Sequence, residues 1–254
     1  MSAPSQTHVD RVALITGASK GIGLEVARHL VEGGARVCIT GRKVQQLQEA
    51  ATSLGGPEKV LAIPGGADDP DHQVVAVDAT VATFGRIDYL VNNAGINPHY
   101  GPLASIDGSA ARKSFEVNCL APLAWVRLVT ERWMAANGGA IVNVSSVAGQ
   151  RPAPNIGFYG STKAMLDYLT RQLALELGPA VRVNAVAPGV VKTDFASKLY
   201  EGREDDVAAM YPLRRLGVPA DVAEAVCYLL SDAASWLTGQ VMVLDGGLSL
   251  RVAE

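Results

Sequence analysis

The sequence contains few of the residues on which disulfide scaffolds, metal centres and nucleic-acid surfaces depend. Its 254 residues include three cysteines, Cys38, Cys119 and Cys227, and four widely separated histidines. Three distant thiols form neither a disulfide framework nor a zinc-ligand pattern, so we expect no metal site. The net charge is −3 and no basic run occurs, which argues against a nucleic-acid-binding surface.

Long hydrophobic runs are also missing. No apolar stretch is long enough to span a bilayer. The first ten residues are polar and lack the cationic start and apolar core of a secretory signal. We therefore expect a cytoplasmic protein with a polar N-terminal tail at residues 1–10 and no membrane contact. Hydrophobic residues make up 48% of the chain, which suits the core of one domain over residues 1–254.

Apolar segments of strand length alternate with helix-length segments along the chain. The predicted strands are residues 12–16, 36–40, 60–63, 89–92, 140–145, 182–187 and 241–244. The predicted helices are residues 22–32, 44–54, 73–84, 109–135, 159–177 and 220–230. Apolar strands of this kind are typical of a parallel sheet buried by helices on both faces. The sequence predicts a single-domain, Rossmann-like doubly wound α/β fold with about seven parallel strands.

Residues 193–216 interrupt this alternation, because they mix charged residues with large apolar ones. We expect one or two short helices here, forming a mobile lid over a substrate.

A glycine-rich segment, Thr16-Gly-Ala-Ser-Lys-Gly-Ile-Gly23, joins the first predicted strand to the first helix. Gly17 allows a tight turn, Gly21 lets a ligand approach the backbone, and Gly23 lets helix and strand pack closely. The N–H groups at the start of the helix favour a pyrophosphate. Glycines also occur in turns for structural reasons alone, but this position predicts dinucleotide binding.

The end of the second predicted strand, Ile39-Thr-Gly-Arg-Lys43, indicates which dinucleotide is bound. It carries no carboxylate for a ribose 2′-hydroxyl. Arg42 can offer a planar guanidinium to a 2′-phosphate, and Lys20 in the glycine-rich segment can add a second positive charge. The alternative is that both are exposed surface cations. We predict NADP(H) in preference to NAD(H).

Tyr159 and Lys163 are four residues apart and therefore lie on one face of a helix. An ammonium in this position can lower the pKa of a phenol from about 10 toward neutrality. Most such pairs are solvated surface pairs. Ser146, 13 residues before Tyr159, supplies a hydroxyl that can bind the same substrate oxygen.

These segments together resemble the classical short-chain dehydrogenases/reductases, from about Arg11 to Leu248. Besides the glycine-rich segment, the resemblance rests on Asn92-Asn-Ala-Gly95, Asn118, Ser146, Tyr159, Lys163, Pro188-Gly189 and Thr193. It implies that Tyr159 is the general acid/base and that Ser146 hydrogen-bonds the reacting oxygen. It further implies that Lys163 stabilises the phenolate and holds the nicotinamide ribose. Asn118 is implied to hold a water in a proton relay, and the spacing to Tyr159 favours Ser146 over Ser145.

The resemblance also implies a set of cofactor contacts. Asn92 and Asn93 can alternatively close a turn, and Thr193 can cap a helix. Gly66 stands where many members have an adenine-binding Asp, so we expect Asp68 or nearby backbone to take that role. The expected contacts are Gly17, Ser19, Lys20, Gly21, Ile22, Gly23, Arg42, Ala67, Asp68, Asn92, Ala94, Gly95, Tyr159, Lys163, Pro188, Gly189, Val191 and Thr193.

The expected substrate is a medium-sized lipophilic ketone or aldehyde, or its alcohol, because the expected pocket wall combines mostly apolar residues with a few polar ones. The residues expected to contact it are Ser146, Gln150, Phe158, Tyr159, Phe195 and Leu199. The alternatives are a 3-oxoacyl-acyl-carrier-protein reductase and a non-catalytic cofactor sensor or scaffold. Glu131 stands where carrier-binding members commonly have Arg, which favours free carbonyl compounds. The resemblance implies a homo-oligomer, commonly a tetramer.

Overall fold

The computed structural model describes residues 7–250 and contains one seven-stranded parallel sheet. The strands are β1 (Val12–Ile15), β2 (Arg36–Gly41), β3 (Val60–Pro64), β4 (Tyr89–Asn92), β5 (Gly139–Val144), β6 (Val181–Pro188) and β7 (Val241–Leu244). Their order is β3-β2-β1-β4-β5-β6-β7, with every neighbouring pair parallel. The order reverses between β1 and β4, which opens a ligand crevice at the carboxyl ends of these strands. The predicted fold class is confirmed.

Helices cover both faces of the sheet. One face packs against α1 (Gly21–Glu32), α2 (Val44–Ser53) and a late helix, Pro219–Leu230. The other packs against α3 (Pro70–Phe84), the helical segments of residues 108–137, and the long helix Gly157–Leu177. The strands between them are almost completely buried, so their apolar character follows from burial on two sides.

The helix predicted at residues 109–135 is longer and is not regular. It comprises α4 (Gly108–Phe115), α5 (Ala121–Val129) and α6 (Ala135–Asn137), joined by π-helical turns at Glu116–Leu120 and Thr130–Met134. Widened turns of this kind are frequent at functional sites. The first of them carries Asn118, whose side chain hydrogen-bonds to Ile96 outside the helix, so the irregularity coincides with a contact between distant parts of the chain.

Of the predicted polar tail at residues 1–10, the structure describes residues 7–10, and one of these residues packs against the sheet. His8 is buried, its N–H donates to the Gly33 carbonyl at 3.0 Å, and its ring meets the Tyr89 ring edge-on. This segment therefore closes the amino-terminal edge of the sheet. Residues 1–6 lie outside the described part of the chain. Within residues 7–250, we find no helix with the length and apolar character needed to cross a membrane.

The long helix Gly157–Leu177 is α7, and the predicted lid segment follows β6. The lid segment, residues 193–216, contains a 3₁₀ turn (Asp194–Ala196) and two short helices, α8 (Ser197–Tyr200) and α9 (Glu204–Ala209). Its far end is anchored, because Tyr211 and Leu216 are buried and the Tyr211 hydroxyl accepts from the Val190 N–H at 3.0 Å. The helix Pro219–Leu230, α10, follows it. The end of the segment is therefore fixed to the rest of the domain, whereas Asp194 and Phe195 at its start are exposed.

Candidate active site

Tyr159 and Ser146 meet at the carboxyl edge of the sheet. Tyr159 lies in the first turn of α7, and Ser146 follows β5 directly. Both are partly exposed, and the Ser146 side chain is within hydrogen-bonding reach of the phenol. Burial raises the pKa of Tyr159 to about 12, whereas the hydrogen bond with Ser146 acts in the opposite direction. The phenol is therefore neutral at ordinary pH, which suits a proton donor.

Lys163 lies one turn further along α7 and is 3% exposed. Its Nζ donates to the Val144 carbonyl at 2.7 Å and lies 5.6 Å from the centre of the Tyr159 ring. Burial lowers the pKa of Lys163 to about 8, opposed by Cys119 and Asp167. In this geometry the effect of burial on the phenol pKa outweighs the lowering expected from the ammonium. The ammonium is bonded to Val144, and burial dominates at the phenol.

Asn118 connects the first π-helical turn to the loop after β4. Its side chain, which is fully buried, accepts from the Ile96 N–H at 2.8 Å and donates to the Ile96 carbonyl at 2.9 Å. It also donates to the Thr162 hydroxyl at 3.0 Å, next to Lys163. Asn118 thus joins the crevice loop to α7, in addition to any role toward water.

The structure distinguishes the two serines after β5. Ser145 is buried, and its hydroxyl donates to the Lys163 carbonyl at 3.3 Å. Ser146 instead faces Tyr159 and accepts from the Ala148 N–H at 3.2 Å. The preference for Ser146 from its spacing therefore agrees with its position beside the phenol.

The glycine-rich segment forms a tight turn at the switch between β1 and β4. Gly17 has a φ of +64°, which favours glycine, and a Cβ at Gly23 would collide with the Asn93 amide. Lys20 occupies the N-cap position of α1, and no side chain within residues 7–250 caps that helix start. These N–H groups suit a phosphate, because anions bind favourably at helix N-termini.

Two residues that hold this turn were missed as contributors to the site. The Asn93 amide donates to the carbonyls of Thr16 and Gly17 at 2.9 and 3.0 Å. The Thr16 hydroxyl accepts from the N–H groups of Asn93 and Ala94, both at 3.0 Å. Both residues belong to the recognised motifs, but their pairing across 77 positions has no local sequence signal.

The side chain of Asn92 joins two strands of the sheet. Its side chain is 3% exposed and donates to Asn143 Oδ1 at 2.9 Å, which links β4 to β5. The Nδ2 group of Asn92 therefore braces the sheet, and the contact of this residue with the cofactor stays a prediction. The expectation that the Asn-Asn-Ala-Gly segment steadies the sheet agrees with these bonds.

Comparison with known proteins decides the family. A family model described as enoyl-(acyl carrier protein) reductase matches residues 17–249. A dehydrogenase/reductase SDR family member 4 from Caenorhabditis elegans is 39% identical over 250 residues, covering 95% of this chain and 96% of the relative. The chain is a classical short-chain dehydrogenase/reductase. The predicted family is thereby confirmed.

Further relatives and solved structures agree with this family. The Homo sapiens SDR family member 4 is 35% identical, covering 96% of this chain and 89% of the relative. A Danio rerio peroxisomal 2,4-dienoyl-CoA reductase is 36% identical, covering 96% and 83%. A short-chain dehydrogenase/reductase from Brucella melitensis superposes with a TM-score of 0.92 at 31% identity, covering 98% of this chain and all of that one.

Short-chain dehydrogenases/reductases use a nicotinamide cofactor, and the crevice of this member fits one. The uncapped start of α1 supplies donors for a pyrophosphate. Lys163 Nζ lies close to Gly95, where an added Cβ would be 3.5 Å away, so a ribose placed over Gly95 can meet the ammonium. Pro188 and Val191 are buried, which leaves backbone atoms for their predicted contacts, and Gly189 packs on Asp245 and Tyr211.

At the adenine end of this dehydrogenase/reductase, Asp68 is not free for the base. Its carboxylate forms an ion pair with Lys113 of α4. The Ala67 carbonyl accepts from Gln73 at 2.8 Å and from the Trp125 indole at 2.9 Å. The expected contacts at Ala67 and Asp68 are therefore limited to the remaining backbone atoms, since both polar groups already have protein partners.

Lys20 also forms an ion pair. Its Nζ lies 2.7 Å from Asp194 Oδ2 at the start of the lid segment, and both side chains are exposed. Thr193 packs on Gly21, because an added Cβ there would be 3.4 Å from the Thr193 methyl. The second positive charge expected at Lys20 is thus compensated by Asp194, whereas Arg42 is exposed without an ion pair among the described residues.

The predicted substrate contacts come together only in part. Phe195 of the lid segment lies over Tyr159, with ring centres 5.9 Å apart, and is 56% exposed. Phe158 and Leu199 are partly buried near the same edge. Gln150 is exposed, and its side chain lies near the Asp167 carboxyl group. Its contact with the substrate stays a prediction.

Proposed function

We propose that this protein is an NADP(H)-dependent oxidoreductase that interconverts a small ketone or aldehyde and its alcohol. The observation that carries the proposal is the phenol of Tyr159, neutral and partly exposed beside the Ser146 hydroxyl. Two hydroxyls converging at one point can bind one carbonyl oxygen, and one of them can protonate it.

In the direction of reduction, Tyr159 donates its phenolic proton to the carbonyl oxygen, while Ser146 hydrogen-bonds the same oxygen. A bound nicotinamide supplies the hydride. The phenolate that remains is stabilised by the ammonium of Lys163, one turn away on α7. Burial lowers the pKa of Lys163 to about 8, so its ammonium form is retained near neutral pH. Solvent then returns the proton to Tyr159.

The preference for NADP(H) rests on the carboxyl end of β2. Arg42 is exposed there and is followed by Lys43, and no carboxylate occurs between Ile39 and Lys43. Lys113 is close enough to Arg42 for the two charges to repel each other. A 2′-phosphate would relieve that repulsion, because it places negative charge beside two cations.

A free carbonyl compound is favoured over a carrier-bound one by the charges on α5 and the π-helical turn after it. Glu131 occupies the expected carrier-docking position and lies 3.6 Å from Arg127. Arg132 beside it is bonded to Asp78 at 2.9 Å. Both arginines are therefore partly neutralised, which weakens steering of an acidic carrier.

An acyl thioester is the second candidate substrate. It is supported by the description of the matching family model as an enoyl-(acyl carrier protein) reductase. The similarity to a 2,4-dienoyl-CoA reductase points in the same direction.

One assay separates these candidates. We expect loss of NADPH absorbance with simple ketones or aldehydes, at a higher kcat/KM than with a 3-oxoacyl or dienoyl thioester. A strong preference for either thioester would overturn the free-carbonyl proposal. A protein that binds NADPH but turns over none of these compounds would instead fit a sensor or scaffold.

We also propose that the protein forms a homo-oligomer, commonly a tetramer in this family. Large apolar side chains are exposed on α7 and around β7, among them Tyr168, Leu175, Trp236 and Leu250. Exposed apolar surface of this extent favours association. Light scattering coupled to size-exclusion chromatography should give a mass of two or four chains, and a monomer would refute the proposal.

A further inference from the structure

Asp167 is a buried carboxyl group beside the catalytic residues that the proposed reaction does not use. It lies on α7 one turn beyond Lys163 and is 3% exposed. The Ser145 hydroxyl and the Gln150 amide are within hydrogen-bonding reach, yet its Oδ1 has no hydrogen-bond partner in the described part of the chain. An incompletely paired buried carboxylate destabilises a fold, so its presence calls for a function.

The groups around Lys163 show what that function can be. Lys163 faces the Val144 carbonyl, the Tyr159 ring, the Cys119 thiol and, along its own helix, Asp167. Burial raises the pKa of Cys119 to about 11, so this thiol is neutral at ordinary pH. Among these groups, Asp167 is therefore the source of negative charge that favours the ammonium form of Lys163.

The groups around Asp167 fix its position. They are Ser145 and Gln150 in the segment between β5 and α7, and Lys163 and Arg171 on α7 itself. Ser145 also donates to the Lys163 carbonyl, and it immediately precedes Ser146. One carboxyl group thus contacts the segment that carries Ser146 and acts electrostatically on Lys163.

We propose that Asp167 is a positioning residue whose buried carboxylate keeps Lys163 in its ammonium form for catalysis. The proposal rests on the proposed function, in which the ammonium stabilises the Tyr159 phenolate. It gives Asp167 a role through its charge, rather than through its proximity to Ser145 alone.

The experiment compares Asp167→Asn, which removes the charge but retains the shape, with Ser145→Ala, which removes the hydroxyl but retains the charge. Two pH profiles are measured for each variant: kcat for carbonyl reduction, and NADPH affinity from fluorescence. We expect the high-pH limb of both profiles to move about 1 unit lower in Asp167→Asn, because Lys163 loses its proton more readily. We expect the limbs of Ser145→Ala to coincide with those of the wild type.

Stability supplies a separate readout. Burial raises the pKa of Asp167, so its ionised form opposes folding above the ordinary pKa of an aspartate. Asp167→Asn should therefore melt at the same temperature as the wild type or higher at neutral pH. A variant that melts lower or does not fold would show a structural role and overturn the proposal.

The proposal would also be overturned if the high-pH limbs of Asp167→Asn coincided with those of the wild type. The same holds if the limbs of Ser145→Ala moved as far as those of Asp167→Asn. The affinity profile needs no carbonyl substrate. If the wild-type protein binds NADPH but reduces no carbonyl compound, the proposed function is refuted. The pH dependence of NADPH affinity then still tests the role of Asp167.

Discussion

Lys20 Nζ lies 2.7 Å from Asp194 Oδ2, which ties the glycine-rich turn to the first residue of the lid's 3₁₀ turn. Both side chains are exposed, so the pair contributes little to folding. It does compensate a positive charge at the place where a pyrophosphate is expected. Asp194→Asn should therefore tighten NADPH binding by roughly 2- to 5-fold, because Lys20 becomes available to phosphate.

Titration of protein fluorescence at low and high salt checks this expectation. The gain in NADPH affinity should be smaller at high salt, because salt screens the positive charge of Lys20. Glu201→Gln, another exposed carboxylate in the lid segment, is the matched control and should leave the affinity unchanged. Weaker binding in Asp194→Asn would show that the ion pair assists the cofactor rather than competing with it.

Arg42→Asp tests the dinucleotide preference. The substitution places a carboxylate where a 2′-phosphate is expected, so the KM for NADPH should rise by roughly 10- to 100-fold and that for NADH should rise less. Steady-state kinetics with both dinucleotides measure the ratio. Arg127→Asp on α5 is a control for the change in net charge, and an unchanged NADPH/NADH ratio in Arg42→Asp would refute the role of Arg42.

Tyr159→Phe tests the proposed role of Tyr159 as the general acid. Loss of the phenolic proton should lower kcat by roughly 100- to 10,000-fold, because general acid catalysis contributes on that scale. NADPH affinity should change little. Tyr168→Phe alters a tyrosine on the same helix that is 64% exposed, and should leave kcat unchanged. Full turnover in Tyr159→Phe would show that another group protonates the substrate.

Asn118→Ala tests the link between the crevice loop and α7. It leaves the N–H and carbonyl of Ile96 without their side-chain partner and removes one of the two hydrogen bonds of the Thr162 hydroxyl. The free energy of unfolding should fall by roughly 2–4 kcal/mol, because unpaired buried polar groups are costly. Urea denaturation measures the change. The exposed Asn137, replaced by Ala, should cost less than about 0.5 kcal/mol, and equal losses would contradict the proposed link.

Lys163→Met tests the cost of the buried ammonium. Burial lowers the pKa of Lys163 from 10.5 to about 8, so protonated Lys163 opposes folding below pH 8 and ceases to do so as the pH rises to 10.5. The variant should unfold with a free energy about 2 kcal/mol higher at pH 7, after the lost bond to Val144 is subtracted.

The stability difference between Lys163→Met and the wild type should shrink from pH 8 to pH 10.5, as seen by denaturation at several pH values. Lys198→Met, at an exposed lysine, should show no such trend. A less stable Lys163→Met at neutral pH would mean that the bonds of the ammonium outweigh its desolvation.

Much of the fold was predictable because its signals are local. The seven strands and most helix positions follow from apolar runs and helical spacing, and the glycine-rich turn follows from Gly17 and its neighbours. The errors lie where local signals end. His8 has no pattern that reveals its burial against Tyr89, and the π-helical turn at Asn118 depends on a bond to Ile96, 22 residues away.

The sequence by itself determined the family, the doubly wound sheet and the choice of Tyr159, Lys163 and Ser146 as the candidate catalytic residues, because these depend on residue types at fixed short spacings. Only the tertiary structure decided the charge states and partners. It paired Lys20 with Asp194 and Lys113 with Asp68, and it raised the pKa of Tyr159 to about 12. Desolvation and ion pairing depend on what packs around a group, and packing brings together residues that are far apart in the chain.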